Sequence, residues 1–599
     1  MSLLLLQRLP ASSVYVGRPA TQDGSSSKLN SPSLPATAGM CSVLLLVVSL
    51  AASGCHSQQT TLPAAAKSTE VADAVAAQLH TRASAEALSA LHSAASDRVR
   101  PSVPSVYEAI QYTPAWLRAG QATPQALSVI SALQHSQVKG LNPDDYDASL
   151  WSARLEALKA AHGDAAAAAQ FDVELTACAL RYLSNLRTGR VNPKPLLFDV
   201  ALDGRRYDLA QFLVLKVLNA LNPADALSMV EPQYLGYRRT EDTLQKYMDL
   251  AAQDHSAPLS EPLHIIKKGD AYSSAPQLAQ RLRLLGDLPQ DVPATSNGGL
   301  YDATLQEAVK RFQTRHGLTP NGNLDRRTLL QLNTPLSARV VQLRDSLERW
   351  RWLPADYPQL PVAINIPGFE LRVFSDDHQI AMRMNVVVGK AILHQTPAFA
   401  KEMKYIVFRP YWNLPLDIVR TEMVPKLRRD PRYLEKRGFE TTDQSGHVLA
   451  TSPVSPATLA EIRSGKLLVR QKPGPSNALG LIKFIFPNEF EIYLHSTPTP
   501  QLFNRSRRDF SHGCIRVEEP AKLAAWLLRD QPQWTLQNIE AAMQSGADNR
   551  EVLLTTPAPV VIAYLTAIVE ENGEVYFYDD IYGEDKTLDA ALAKGLPYR

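Results

Sequence analysis

The chain has 599 residues, 45% of them hydrophobic, and its 62 lysines and arginines nearly balance its 60 aspartates and glutamates. This length predicts three or four domains rather than one. The near-neutral charge argues against a nucleic-acid partner whose binding depends on phosphate neutralisation. The four cysteines, Cys41, Cys55, Cys178 and Cys514, form no CxxC pair, which argues against a zinc ribbon or a thioredoxin-like site.

The N-terminal region contains an apolar run at residues 42–52 that leads through Ala-Ser-Gly to Cys55. The run is too short for an ordinary membrane span and indicates an export signal. Its ending is typical of a lipoprotein signal, in which Cys55 is lipidated and becomes the mature N-terminus. We expect a signal peptide at 1–54 and a polar tether at 55–70. Met40 is an alternative start, and an uncleaved anchor or cleavage elsewhere is the alternative to lipidation.

Residues 71–260 are predicted to form a helical domain. Its clearest helix covers Phe171–Arg187, where apolar residues recur at helical spacing and Gly189 offers a C-cap. Cys178 lies within this helix and is expected to be a small buried core residue. Because no other residue in this range indicates chemistry, we interpret the domain as a scaffold.

Residues 261–336 are predicted to form three short helices. The first stops at Gly286, Asp302 or Thr304 caps the second, and Asp325 caps the third. The segments Gly299-Leu300-Tyr301-Asp302, Ala308–Gln313 and His316-Gly317-Leu318 resemble the three-helix peptidoglycan-binding module. That resemblance implies adhesion to glycan strands. The alternative is a helical spacer that has lost its ligand groove.

The remaining chain changes from helix to strand. Helical periodicity returns over 337–358, which is interpreted as a helix that packs back on the scaffold, until prolines break the pattern. Alternating apolar and polar residues at 362–366 and 370–374 then predict strands. Residues 359–599 are therefore interpreted as a mainly-β domain.

An insertion at 411–472 interrupts this β-domain. Its prolines predict an irregular segment, and long loops in compact domains are usually lids or disordered; the prolines are Pro415, Pro425, Pro431, Pro453 and Pro456. Between Arg420 and Arg437 the insertion has an excess of positive charge. That charge would suit a ligand with carboxylates, and the alternative is an ordinary solvated face.

The stretch Phe510–Val517 carries the main candidate for chemistry, because His512 and Gly513 directly precede Cys514. A thiolate nucleophile needs a base and donors for the oxyanion that it creates. His495 or His512 could act as the base, and the Gly513 and Cys514 N–H groups could be the donors. Glycine at 513 lets a substrate carbonyl approach the backbone closely. A zinc site of these histidines and Cys514 is the alternative, but it lacks a fourth ligand.

These motifs resemble the signature of the L,D-transpeptidases with a YkuD-type catalytic domain, cysteine enzymes of bacterial peptidoglycan. The longer context resembles the large YcbB-like branch of that family; it includes Arg349–Pro354, Val386–Lys390, Pro410–Pro415 and Asp580–Gly583. The resemblance implies a multidomain α+β fold. It consists of a helical scaffold, a three-helix peptidoglycan-binding module and a mainly-β cysteine transpeptidase domain at 359–599, capped by the insertion.

The resemblance also implies a mechanism without metal or organic cofactor. Cys514 is the nucleophile and His495 the base, Ser496 orients the imidazole, and the imidazole takes the thiol proton and holds the ion pair. Cys514 attacks the third residue of a tetrapeptide stem, D-alanine leaves, and the amine of a second stem forms a 3-3 cross-link. With water as acceptor the protein would be an L,D-carboxypeptidase. A catalytically inactive wall-binding lipoprotein is the remaining alternative.

Five further residues are candidate substrate contacts, and His512 could line the same pocket. Arg516 could bind a substrate carboxylate or brace its loop, and Arg508 is a weaker candidate of the same kind. Tyr493 faces the same side of its strand as His495, and Trp412 and Asn413 are candidate pocket walls. The expected partners are donor and acceptor stem peptides, glycan strands and, through Cys55, a membrane. We expect the protein in the periplasm.

Overall fold

The computed structural model describes residues 63–84, 88, 99–196, 198–199, 207–292, 299–354 and 362–595. The expected signal peptide and lipidation site at Cys55 lie outside these residues. None of the helices in the described residues combines the length and the hydropathy of a membrane span.

The N-terminal domain is helical, as its periodicity predicts. Its helices are α1 (Pro63–Arg82), α2 (Ser102–Ala109), α3 (Pro124–Gln134), α4 (Trp151–Ala160), α5 (Ala165–Thr188), α6 (Leu209–Phe212), α7 (Pro223–Ser228) and α8 (Leu235–Gln253), with a small hairpin of β1 (Leu117–Arg118) and β2 (Gln121–Ala122). Helix α5 is central, and Cys178 is fully buried on it. The helix ends at Gly189, whose φ of 78° favours glycine.

Three helices form the next unit, namely α9 (Ala275–Leu284), α10 (Ala303–Arg315) and α11 (Arg326–Leu332). Asp302, rather than Thr304, caps α10 by accepting from the Leu305 N–H at 2.9 Å. Asp325 caps α11 by accepting from the Thr328 N–H at 2.7 Å. The inward faces of these helices share one apolar core.

Helix α12 (Leu336–Trp352) follows and packs along α8. Its C-terminal half also contacts the β-domain. The fully buried Arg349 forms an ion pair with Asp585, and the Trp352 ring packs against Phe198 with centroids 5.2 Å apart. The Arg-Trp-Arg-Trp motif thus joins the helical and β parts of the chain.

The β-domain is built on a ten-stranded sheet with the order β12-β13-β15-β6-β5-β4-β16-β7-β3, in which β14 pairs with β6. Its strands are β3 (Phe198–Asp199), β4 (Val362–Asn365), β5 (Glu370–Phe374), β6 (Ile380–Gly389), β7 (Ala398–Phe408), β12 (Ile482–Ile485), β13 (Leu494–His495), β14 (Asp509–Ser511), β15 (Ile515–Val517) and β16 (Arg550–Ala563). Strand β12 also pairs with β7, so the sheet curls back on itself. A separate hairpin, β17 (Ala567–Val569) and β18 (Val575–Phe577), and helices α17 (Pro520–Leu527), α18 (Leu536–Gln544) and α19 (Glu584–Leu592) complete it.

The insertion is folded, whereas its prolines predict an irregular segment. It contains α13 (Leu416–Ile418), a π-helical turn at Val419–Met423, α14 (Val424–Arg429), α15 (Tyr433–Lys436), α16 (Pro456–Ser464) and a four-stranded sheet of β8 (Trp412–Asn413), β9 (Phe439–Thr442), β10 (Val448–Leu449) and β11 (Leu468–Gln471). Pro456 occupies the first turn of its helix, where a missing N–H costs no helical hydrogen bond, and Pro425 lies directly after the π-helical turn. The insertion has its own apolar core.

Candidate active site

Three neighbouring strands, β12, β13 and β15, present a row of polar side chains on one face of the sheet. Their apolar residues are buried in the core on the other face; they are Ile482, Phe484, Leu494, Ile515 and Val517. Because successive side chains of a strand alternate, the residues between them point away from that core. This face carries Lys483, Tyr493, His495, Cys514 and Arg516. His495 is paired with Lys483 on one side and with Arg516 on the other.

Cys514 is half-buried and directly precedes β15. Its Sγ donates to the Glu491 carbonyl oxygen at 3.6 Å. Burial raises the pKa of the Cys514 thiol, while hydrogen bonds from Tyr493 and the charge of Lys483 act in the opposite direction. The thiol therefore needs help from its surroundings to ionise near neutral pH.

Gly513 shapes the loop that presents this thiol. Its φ is +115°, and a Cβ there would lie 3.2 Å from Ile492 Cδ1. Its N–H donates to Ser511 Oγ at 3.2 Å, and its carbonyl accepts from Thr396 Oγ1 at 2.6 Å. Among the described residues the Cys514 N–H has no hydrogen-bond partner. It is therefore the donor available for an oxyanion, whereas the Gly513 N–H is already engaged.

His495 is buried, and its Nδ1 lies 2.6 Å from the Ser496 carbonyl oxygen. Burial and the neighbouring Arg516 charge lower the pKa of His495 to about 3, although backbone hydrogen bonds at Ser496 and Leu479 oppose the shift. The imidazole is therefore neutral at neutral pH. With a proton on Nδ1 for the Ser496 carbonyl, Nε2 keeps the basic lone pair.

This geometry corrects the expectation of a preformed thiolate–imidazolium pair. The sulfur's hydrogen bond goes to the Glu491 carbonyl rather than to His495, and a histidine with a pKa of about 3 carries no charge at neutral pH. The two side chains lie on one face of the sheet, because His495 is paired with Arg516 and Cys514 precedes Arg516 by two residues. Catalytic hydrogen bonds are often long in a structure without substrate and tighten in the complex.

The Ser496 backbone carbonyl orients the His495 imidazole, whereas the Ser496 hydroxyl bonds to the backbone of a neighbouring turn. The hydroxyl accepts from the Leu481 N–H at 2.7 Å and the Ile482 N–H at 3.2 Å, and donates to the Leu479 carbonyl. It thereby fixes the turn that leads into β12. Gly480 makes this approach possible, because a Cβ there would lie 2.2 Å from Ser496 Oγ.

His512 is directed toward the insertion. Its Nε2 lies 2.5 Å from Glu422 Oε1, and its ring packs against His394 with centroids 4.7 Å apart. Burial raises the pKa of Glu422, but hydrogen bonding and charge from His512 and Lys426 outweigh it, and the net pKa is lowered. The π-helical turn of the insertion is thus joined to the loop that carries Cys514.

Of four candidate substrate residues, two lie beside His495 and two lie in the insertion. Arg516 is half-buried beside His495 and donates to Thr499 Oγ1 at 3.3 Å. The Tyr493 ring centroid lies 5.9 Å from that of His495. Trp412 packs with Phe439 against the core of the insertion, and Asn413 is exposed beside it.

Arg508 is placed differently from our expectation. Its three nitrogens donate to the backbone carbonyls of Val386, Arg505 and Phe369, at 3.2, 2.6 and 3.0 Å. The side chain is buried and braces β6 against the approach to β14. We therefore replace the expected substrate contact with a structural role.

Sequence reasoning missed three charged or titratable residues at this site, namely Lys483, Glu422 and His394. Lys483 had a usable signal, because it is the one charged residue in the apolar run from Leu481 to Phe486. Glu422 and His394 meet His512 only through the tertiary fold. As for the zinc alternative, no group of three or more His, Cys, Asp or Glu side chains in the described ranges is placed to hold a metal ion.

Three family matches cover separate parts of the chain. Residues 362–562 match YkuD, described as the L,D-transpeptidase catalytic domain. Residues 101–244 match a Scaffold domain, and residues 273–332 match a domain described as "Putative peptidoglycan binding domain". A Haemophilus influenzae protein named "Putative L,D-transpeptidase" is 34% identical over 233 residues, which cover 38% of this chain and 45% of that protein.

The chain therefore contains a YkuD L,D-transpeptidase catalytic domain together with a peptidoglycan-binding domain and a Scaffold domain. This confirms the resemblance that the motifs around His495 and Cys514 indicate. It also confirms the multidomain α+β fold, with helices in the N-terminal half and a mainly-β catalytic domain at the C-terminal end.

Proposed function

We propose that the protein is an L,D-transpeptidase that forms 3-3 cross-links between peptidoglycan stem peptides. The observation that carries this proposal is the common face of β13 and β15, on which His495 and Cys514 lie two residues apart in register within the matched catalytic domain. A nucleophile and a base on adjacent strands can perform acyl transfer in two steps.

In the first step the Cys514 sulfur attacks the carbonyl carbon of the third residue of a tetrapeptide stem. A carbon–sulfur bond forms, and the carbonyl oxygen becomes an oxyanion that the Cys514 N–H can stabilise. The neutral His495 takes the thiol proton as the carbon–sulfur bond forms and gives it to the departing amine. The bond to D-alanine breaks, D-alanine leaves, and the stem remains as a thioester.

In the second step the side-chain amine of another stem attacks this thioester. The neutral imidazole takes a proton from that amine and returns it to the departing sulfur. A new amide joins the two third residues, and Cys514 is restored. The Glu422–His512 contact supports a closed position of the insertion, which would keep water from competing with the amine.

The other domains fit an enzyme of the cell wall. The peptidoglycan-binding domain would hold glycan strands near the catalytic domain, and export through the N-terminal signal would bring the protein to the periplasm. Lipidation at Cys55 is part of this proposal. Cys55→Ala should release the protein from the membrane fraction or block its processing. Unchanged membrane retention and an unchanged mature mass would show that Cys55 does not carry a lipid anchor.

The thioester itself tests the proposal. The purified protein is incubated with a disaccharide tetrapeptide donor, without acceptor, and its intact mass is measured after rapid acid quenching. We expect an adduct equal to the donor minus D-alanine, and we expect it to be absent from Cys514→Ala. Cys178→Ala is the matched control, since this buried scaffold cysteine should not affect the adduct. An adduct that persists in Cys514→Ala would refute Cys514 as the nucleophile.

A further inference from the structure

Lys483 occupies the same face of the sheet as the candidate nucleophile and base. Its neighbours Ile482 and Phe484 are fully buried in the core, so the Lys483 side chain points to the face that carries Cys514 and His495. It is the cross-strand partner of His495. Its Nζ lies 4.1 Å from the centroid of the Tyr493 ring, and hydrogen bonding from Tyr493 acts on the Cys514 sulfur.

The Lys483 ammonium lacks the partners that a half-buried cation usually has. Within the described residues it makes no hydrogen bond or ion pair, and its contact is with the face of Tyr493. Leaving water without a counter-charge is unfavourable for an ammonium. Burial accordingly lowers the pKa of Lys483, and the thiolate form of Cys514 and the Glu551 carboxylate oppose that shift. An anion on this face would compensate for the lost hydration.

We propose that Lys483 is the charge partner of the Cys514 thiolate: its ammonium supplies the positive charge that favours ionisation of the sulfur. The neutral His495 cannot supply this charge in the resting site, although it can still move protons during the reaction. The two tasks usually given to one imidazolium are thus divided, with Lys483 stabilising the thiolate and His495 transferring the proton. A nearby lysine is one of the known means of lowering a cysteine pKa.

Within the described residues, three other side chains are the main influences on Cys514 and Lys483. Glu491 and Tyr493 act on the thiol from the segment before β13, and Glu551 acts on Lys483 from β16. Glu491 opposes ionisation of Cys514, and Arg516 acts on His495 from β15. Among these main influences on the Cys514 thiol, Lys483 is the positively charged one. Removing its charge should therefore raise the pKa of the thiol directly.

Alkylation of Cys514 by iodoacetamide, followed from about pH 5 to 10, reports the thiolate directly. Loss of a neighbouring opposite charge shifts a pKa by about one unit or more. Lys483→Met and Lys483→Gln should therefore move the reactivity midpoint up by about one pH unit, with a roughly tenfold lower alkylation rate near pH 7. Lys483→Arg keeps the charge and should retain a profile close to wild type. Lys404→Met, an exposed lysine on the neighbouring β7, is the control and should have no effect.

A merely structural Lys483 would give a different result. The inference is overturned if Lys483→Met and Lys483→Gln keep the wild-type alkylation midpoint, or if Lys483→Arg shifts that midpoint as far as they do. It is also overturned if both neutral variants are unfolded, as judged by the absence of a thermal unfolding transition. The inference rests on the proposed function only for the identity of the substrate. A wild-type protein that shows the shift but makes no cross-linked product would refute that function and leave the Lys483–Cys514 pair standing.

Discussion

At the scale of single residues, His495 and Cys514 share a face but do not form an ion pair in the resting site. Burial raises the pKa of the thiol and lowers that of the imidazole, so both groups favour their neutral forms. In the proposed reaction, a neutral base of this kind would accept a proton during turnover rather than fix the thiolate beforehand.

His495→Ala should therefore reduce turnover strongly while leaving the thiol titration nearly unchanged. The loss of a general base costs about 10²–10⁴-fold in rate. The alkylation midpoint of Cys514 should move by less than about half a unit, since an imidazole with a pKa of about 3 contributes no charge at neutral pH. His512→Ala is the comparison variant for this titration, because the His512 ring is directed to Glu422. An alkylation midpoint that rises by a full pH unit in His495→Ala would show that the wild-type site does contain a preformed thiolate–imidazolium pair.

The sequence predicted part of this site for physical reasons. Alternation along a strand placed Tyr493 with His495, and it also places Lys483, whose charge interrupts an apolar run. The contact from His512 to Glu422 spans 90 residues and depends on how the insertion folds back. The use of the Ser496 carbonyl, rather than its hydroxyl, depends on a turn that Gly480 allows. Local patterns do not contain such information.

At the scale of elements, the insertion shows how proline content can mislead. Prolines break a regular helix in its interior but are well tolerated in its first turn, which Pro456 occupies; Pro425 lies directly after the π-helical turn Val419–Met423. The strands and helices of 411–472 then bury their own apolar core. The helix caps of the peptidoglycan-binding unit were predictable, because Asp302 and Asp325 each accept a hydrogen bond from the backbone N–H only three residues further along the chain.

Glu422 is expected to hold the insertion on the catalytic loop. Its pKa is lowered below the ordinary 4.5, so its stabilising effect is present above that value and is lost as the pH falls through the lowered pKa. Glu422→Gln removes the charge at every pH and should increase hydrogen exchange in the π-helical turn Val419–Met423 at pH 7. The exchange of this turn in the wild-type protein, corrected for intrinsic exchange rates, should approach that of Glu422→Gln only at acidic pH.

Glu461→Gln is the matched control for this prediction. Glu461 lies in the same subdomain with the same side-chain exposure of 39%, but it pairs with Lys466 instead of the catalytic loop. Exchange in Val419–Met423 should be unaffected by this change. Equal protection in Glu422→Gln and wild type at pH 7 would show that other contacts hold the insertion.

At the scale of the whole molecule, α12 connects the helical and catalytic parts through buried charges. Arg349 pairs with Asp585, which also accepts from Thr566 Oγ1 at 2.6 Å. Glu348 accepts from the Arg190 and Val191 N–H groups at 2.5 and 3.0 Å. The sequence indicated a helix here, but an amphipathic pattern does not predict which charged residues are buried, because their partners lie far along the chain.

Arg349→Met should destabilise the protein by about 3–5 kcal/mol, because it leaves the Asp585 carboxylate largely buried without its partner. A large fall in the thermal unfolding midpoint of the catalytic domain is the expected readout. Arg327→Met breaks an exposed pair with Asp579, whose side chains are 50% and 38% exposed, and should cost at most about 1 kcal/mol. Equal midpoints for the two variants would contradict this role of α12.

The central claim is that the protein joins two stem peptides through their third residues, and the chemical structure of the product tests it most directly. The purified wild-type protein is incubated with disaccharide tetrapeptide, and the products are sequenced by tandem mass spectrometry while free D-alanine is measured. The account predicts a dimer with a third-to-third-residue amide and one D-alanine released for each bond, both absent with Cys514→Ala. Tripeptide and D-alanine without any dimer would contradict it and identify an L,D-carboxypeptidase instead.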